Sequence, residues 1–331
     1  MLRLKFLKNF PEWVIWLIKI SIAVVAVRFI LQKVFTSESF DELTAALQQL
    51  RGENSRFILF FVFALLAVNL LIETLKWQII MLPLEKISRP KAFAAVLTGI
   101  AVSFFAPNRS GEFAGRILYV EHAGKIKAAL VTIAAGIGQL VVTLSAGCIC
   151  LMFYLKGVIL SSLLYYPLAG ILLLLSCGLV FMFIYFPYLA ERFSSLELLK
   201  GISEYISVMK LYKPKIFISI LGLSLLRYLV FVHQYFLLQK IFFPAAPYPE
   251  TVLIISIIYL ALAVIPTFAL SEIGVRSSVA AFYLGSIISS PVSIAFATLS
   301  IWIINIVIPS LAGSVLFLAV RFGSGKNKTA P

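Results

Sequence analysis

The chain of 331 residues is 61% hydrophobic and only 13% charged, where a soluble domain carries about a quarter, and its mean hydropathy is +1.03. These values exclude an ordinary soluble domain, and the continuous apolar runs exclude a membrane β-barrel, whose short strands alternate. The net charge of +14 sits in clusters beside apolar runs, where it meets anionic lipid head groups. No soluble module is left to hold a nucleic acid, and no nucleic-acid partner is expected.

In chain order, a basic head (Arg3, Lys5, Lys8) precedes the apolar run from Trp13 to Phe35, which Lys19 and Arg28 interrupt. That run is too long for the apolar part of a signal peptide and reads as an uncleaved anchor span. Six segments are long enough to cross a bilayer at about 20 residues each: 13–34, 57–82, 128–155, 163–186, 216–241 and 291–320. The interval 36–56 opens on a capping-box pattern, Ser39 to Glu42, with Leu43, Leu47 and Leu50 on one face. The interval 187–215 repeats apolar residues every three or four positions from Leu189 to Met209. Both read as connectors lying on the membrane surface.

Two segments remain, 92–127 and 251–288. Each is apolar, breaks at a proline and continues as a further short helix. If each enters and leaves on one side, every Lys/Arg-rich loop falls on the cytoplasmic face, with both termini there too, as expected of a multi-pass protein of the cell (inner) membrane. Full crossing by some limbs is the alternative. The expected fold class is all-α, a polytopic membrane helical bundle forming one integral membrane domain over 1–331. It holds two inverted repeats, 57–155 and 216–320, each containing a re-entrant helical hairpin.

The hairpin tips carry the chemistry. PNRSGEFAGR runs from Pro107 to Arg116, and PTFALSEIGVR from Pro266 to Arg276. Pro107 and Pro266 stop the incoming helix, Ser110 and Ser271 are placed to cap the outgoing one, and Gly111 permits close backbone approach. A helix start of that kind suits an anion. Glu112 with Arg116, and Glu272 with Arg276, are four residues apart and share a helix face. Charges at membrane depth are costly unless paired or wetted, so these, with Arg109, are candidate substrate-binding residues. For Glu112 and Arg116 a structural brace is an equal reading; for Glu272 and Arg276, function is favoured.

Polar stripes on the spans add to the set. Asn69, Glu73 and Lys76 share one face; Thr132, Gly136, Gln139 and Thr143 share another; Ser224, Arg227 and Gln234 a third; Thr298 and Asn305 a fourth. Glu73 and Arg227 occupy comparable places in the two repeats with opposite sign and join the substrate-binding candidates. The Thr and Gly members read as packing. His233 reads as a satisfied interior histidine. Cys148, Cys150 and Cys177 read as buried reduced thiols, and no disulfide, metal site or cofactor is expected. Neither a Gly-x-Ser-x-Gly elbow, a zinc motif nor a Walker loop is present, so no enzyme is expected.

On these motifs the chain resembles the lysylphosphatidylglycerol synthase transmembrane-region family, a flippase-like membrane domain also known as an uncharacterised membrane protein family. Pro107, Gly111, Glu112 and Arg116 match its first hairpin. Its later Pro-Gly-Gly-x-Gly-x-x-Glu segment corresponds loosely to Pro266–Arg276, where Ser271, Glu272 and Gly274 replace the glycine-rich form. The resemblance implies a multi-pass domain that moves lipids or lipid-linked precursors between leaflets. In the lysyl-lipid synthases a soluble aminoacyl-transferase domain follows; none follows here up to Pro331, so synthesis of aminoacyl lipids by this chain alone is not expected.

The favoured reading is a flippase-like transporter. Its partners would be membrane lipids with anionic or zwitterionic head groups, polyprenyl-linked ones included. The alternatives are a membrane-embedded transferase and an accessory subunit for a separate lipid-modifying enzyme.

Overall fold

The computed structural model describes residues 48–104, 111–159, 161–193, 207–265 and 269–319. The first expected span and residues 36–47 of the surface interval after it, together with Pro107, Arg109, Ser110 and Pro266, lie outside the described residues; the rest of that interval ends in a short helical turn at 48–50, and α1 begins at Glu53. The backbone of Ser271 and Glu272 is described, their side chains are not.

Among the described residues, five helices are long and apolar enough to cross a membrane: α1 (Glu53–Met81), α4 (Lys125–Val158), α5 (Ser162–Ile184), α7 (Pro214–Phe242) and the run Pro291–Leu318. That run comprises α10 (Pro291–Trp302), one π turn (Ile303–Val307) and α11 (Ile308–Ala319). The other α-helices are α2 (Arg89–Phe104), α3 (Gly111–Arg116), α6 (Phe186–Phe193), α8 (Tyr248–Val264) and α9 (Ala269–Leu284). The chain is a multi-pass helical membrane protein, and among the described residues no strand forms.

Local signals place the helix starts. Pro214 begins α7, Pro291 begins α10 and Pro249 lies in the first turn of α8, where a missing backbone donor costs nothing. Ser290 caps α10 by accepting the Ser293 N–H at 3.2 Å. Of the expected surface helix over 187–215, α6 and a short 3-10 turn, Ser207–Leu211, are described, and Tyr212 ties the latter to α1 by donating to the Ile80 carbonyl at 2.6 Å.

Helices pack reciprocally. α1 lies along α7, α2 packs on α3 and α11, and α8 packs on α9 and α4. Two glycine contacts explain how closely. A Cβ on Gly115 would sit 2.7 Å from the Gly99 Cα, so α2 and α3 meet backbone to backbone. A Cβ on Gly313 would overlap the Leu97 carbonyl oxygen, so α11 also meets α2 backbone to backbone.

Two apolar cores result. One gathers Trp77, Met81, Ala95, Val131 and Phe217; the other gathers Val62, Leu66, Tyr235, Ile255, Leu284 and Ile301. Leu70 and Leu221 touch both. The stretch of α1 carrying Asn69 and Glu73 therefore falls where the two cores abut, and α1 and α7 deliver their polar side chains to that seam. By contrast α5 buries little besides Ser176 and Phe183 and presents an apolar surface suited to lipid.

Two expectations need correction. His233 is only half-buried; its ring is satisfied by the Tyr248 hydroxyl at 2.7 Å and the Leu229 carbonyl at 2.8 Å, at the edge of the bundle. Cys177 is exposed because α5 turns most of its circumference outward; of the two cysteines on α4, Cys148 is buried and Cys150 half-buried.

Candidate functional site

The site is built on one carboxylate. Glu73 is 3% exposed, and its neighbours Lys76 and Arg116 are 1% and 2% exposed. Burial of a lone charge at this depth costs several kcal/mol, so such a group persists only when paired. Glu73 is paired three times. Its Oε2 accepts from Lys76 Nζ at 2.7 Å, one turn along α1, and from Arg227 Nη1 on α7 at 2.7 Å. Its Oε1 accepts from Arg116 Nη1 on α3 at 2.8 Å.

The network extends from there. Arg116 Nη2 donates to Glu112 Oε2 at 3.0 Å, within the first hairpin motif. Arg227 Nε donates to Asn69 Oδ1 at 2.6 Å, and Asn69 Nδ2 donates to Asn305 Oδ1 at 3.1 Å. Asn305 lies in the π turn, where the wider winding breaks the regular ladder; such turns recur at functional sites. The guanidinium of Arg227 also rests 5.1 Å from the ring centre of Phe231, a cation–π contact.

A cavity of about 740 Å³ lies over this network. Its floor is Glu73, Lys76, Glu112, Arg116, Arg227 and Asn305, and its lining also includes Arg276 of the second motif, 6.0 Å from the centre of the Tyr259 ring. Thus side chains from both motifs, Glu112 with Arg116 and Arg276, face one space. The rim is apolar: Ile133, Ile137 and Leu140 of α4 and Val264 and Ile265 at the end of α8 line the cavity and are exposed. A polar floor under an apolar, outward-facing rim suits a molecule with a charged head and greasy tails.

Of the sequence candidates, Glu73, Glu112, Arg116, Arg227 and Arg276 line this cavity, and Gly111 is a close-approach residue: a Cβ there would sit 2.6 Å from the Val102 carbonyl oxygen. Arg109, Pro107, Ser110 and Pro266, and the side chains of Ser271 and Glu272, fall outside what is described. Ser224 and Gln234, expected on the Arg227 face, do not reach the cavity. Gln234 turns to α1 and donates to the Val62 carbonyl at 2.9 Å. Thr298 bonds the Tyr235 hydroxyl instead.

Two groups were undervalued by sequence reasoning. Lys76 was legible as part of a stripe but is a member of the ion cluster itself. Thr132, Gly136 and Thr143, read as packing, line the cavity together with Gln139 of the same stripe. The usable signal was their regular spacing on one face of α4.

Outside the membrane-spanning segments, Glu85 clamps the turn before α4. Its carboxylate accepts the backbone N–H groups of Glu121, His122 and Ala123 at 2.8–3.2 Å. Burial pushes its pKa upward, but those three donors and nearby Lys91 outweigh it and hold the carboxyl below its ordinary value.

Compared with known families, residues 16–313 match the family model described as the lysylphosphatidylglycerol synthase TM region. No curated protein and no solved structure matches the chain.

Proposed function

The chain belongs to the lysylphosphatidylglycerol synthase TM-region family, a membrane family related to lipid handling, and from that premise we propose that it is a flippase-like transporter. It carries a phospholipid or lipid-linked precursor between leaflets, with the head group in the cavity and the tails in the surrounding lipid. The observation that carries this reading is the pairing of a charged floor with an exposed apolar rim in one cavity. Arg116, Arg227 and Arg276 contact phosphate, whose oxygens suit the guanidinium fork, while Glu73, Glu112 and Glu272 balance charge.

The reciprocal packing supports the reading of α1–α4 and α7–α11 as inverted repeats, since each hairpin's first limb rests on the other unit's last span. The length of one limb supports re-entrant hairpins. α8, whose C-cap is Ile265, has 17 residues, or about 25 Å of helix, short of the roughly 30 Å hydrocarbon core. In this reading both termini are cytoplasmic, the protein resides in the cell membrane, and exchange is passive or ion-coupled.

The test is leaflet exchange of fluorescent phospholipids in proteoliposomes, read by chemical quenching of the outer leaflet. Exchange above that of protein-free vesicles supports the transporter. Vesicles that exchange no faster, together with a covalently altered lipid in mass spectra, would replace it with a membrane-embedded transferase.

A further inference from the structure

Among the described residues, four cations and two carboxylates line the cavity, and one of the four cations can give up its proton. Around Lys76 the charged side chains are Glu73 on its own helix, Glu112 and Arg116 from α3, Arg227 from α7 and Arg276 from α9. Tyr228 of α7 and Tyr259 of α8 are the other titratable groups in the lining; α4, α10 and the π turn bring none to it. A guanidinium keeps its proton at any pH a protein meets, whereas a lysine ammonium can release one.

Lys76 is also the least tied of the cations bonded to Glu73. Arg116 donates to Glu73 and Glu112, and Arg227 to Glu73 and Asn69. Lys76 is 1% exposed and has three N–H donors, yet among the described residues it bonds Glu73 alone. It shares one oxygen of that carboxylate with Arg227 Nη1, each at 2.7 Å. A neutral amine keeps two N–H groups, so the contact with Glu73 survives loss of the proton. Placing a proton on Glu73 instead would turn an oxygen that accepts from these cations into a donor facing donors.

Resting on the transporter reading, we infer that lipid exchange is coupled to protons and that Lys76 is the carrier, taking up one proton as a phosphate enters the cavity and releasing it as the phosphate leaves. A phosphate in the cavity draws the guanidiniums of Arg116, Arg227 and Arg276, and Glu73 then relies on Lys76 as an ammonium. Once the phosphate departs, ammonium and guanidiniums crowd back onto the same carboxylate, where like charges repel. An N–H bond of Lys76 breaks, its electron pair stays on nitrogen, and the proton passes to water. A space of about 740 Å³ has room for several such molecules. Glu73 remains ionised and keeps both guanidiniums. Lipid and proton therefore move in the same direction.

The experiment is the leaflet distribution of acyl-labelled fluorescent phosphatidylglycerol in proteoliposomes of the full chain. A pH gradient is imposed with the lumen alkaline, and the membrane potential is held at zero with potassium and valinomycin. Protein-free vesicles under the same gradient give the baseline. With one proton per lipid, each pH unit drives an inner-leaflet excess of the wild type toward about tenfold over that baseline. Reversing the gradient reverses the excess. Lys76→Arg keeps a cation on Glu73 that cannot release its proton, so it exchanges lipid at a reduced rate without a gradient and accumulates none with one. Lys76→Gln, permanently uncharged, is the second variant and likewise accumulates none. If neither variant folds, the wild-type distribution decides alone.

A wild-type distribution that stays at the baseline under the gradient overturns proton coupling, while a transporter that exchanges lipid without a gradient stands. An excess retained by Lys76→Arg overturns Lys76 as the carrier and moves the proton to another group. A folded Lys76→Arg chain that exchanges nothing under either condition makes Lys76 a structural partner of Glu73 and overturns the assignment too. Absence of exchange by the wild type, with or without a gradient, strikes the transporter reading and the coupling with it.

Discussion

Glu73 of α1 and Arg227 of α7, 154 residues apart, are joined Oε2 to Nη1 at 2.7 Å at the seam between the two apolar cores. The bond links the first unit of the bundle to the second. With Arg116 it also links both to the first hairpin. Removing Glu73 would leave three cations facing one another. Glu73→Ala is therefore expected to cost about 3–5 kcal/mol, as for a broken buried pair, read as a large drop in thermal unfolding temperature in detergent. The double variant Glu73→Ala with Arg227→Ala should recover part of the loss, and strict additivity of the two single losses would show that they do not interact.

Asn69 and Asn305 make a graded prediction. Asn69 Oδ1 is the acceptor for Arg227 Nε, whereas Asn305 reaches the arginine only through Asn69. Asn69→Ala strips a partly buried charged donor of its partner and should cost about 1–3 kcal/mol. Asn305→Ala should cost less. Equal losses in chemical unfolding would point instead to the π turn as the sensitive element.

Glycines in this chain divide by what surrounds them. A Cβ on Gly313 would collide with the Leu97 carbonyl, and since helix backbones cannot yield locally, Gly313→Ala should destabilise by about 1–3 kcal/mol. Gly136 has nothing within 4 Å of the same position. Gly136→Ala should be neutral, or stabilising by up to about 1 kcal/mol from helix propensity. Thermal unfolding of the two variants side by side checks the packing of α2 on α11.

Glu85 provides a pH test outside the spans. Its pKa is lowered in the folded chain, so its contribution is fully present above the unfolded value, ordinarily 4.5, and is lost as pH falls through the lowered folded value. Wild type should exceed Glu85→Gln in stability by a constant margin above that ordinary value. The margin should shrink at more acidic pH. A margin that widens with acid would contradict the clamp on Glu121, His122 and Ala123.

Much of this was legible in the residues because membrane burial makes local patterns strict. Runs such as 57–82 and 216–241 gave the spans, since only helices satisfy their own backbone in lipid. The spacing of Asn69, Glu73 and Lys76 put three polar groups on one face, and the cost of charge in lipid turned that face inward. What spacing cannot encode is the partner on another helix: that Glu73 meets Arg227, or that Gln234 turns to Val62 instead of the cavity, depends on how α1 and α7 rotate against each other. The π turn at Asn305 was equally hidden, because its widening comes from packing and not from any breaker residue. His233 and Cys177 were misplaced because both lie on apolar helices whose outer faces look, by composition, like inner ones.

The most direct measurement of the central claim, that lipid head groups pass through the cavity above Glu73, is leaflet exchange by Gly136→Phe. Gly136 lines that cavity on α4 with open space around it, so a phenyl ring there fills the passage without disturbing a packed contact. Wild-type proteoliposomes should exchange fluorescent phosphatidylglycerol, and Gly136→Phe should lose nearly all of that rate while keeping its unfolding temperature. An equally stable Gly136→Phe that exchanges lipid at the wild-type rate would place the pathway elsewhere on the protein.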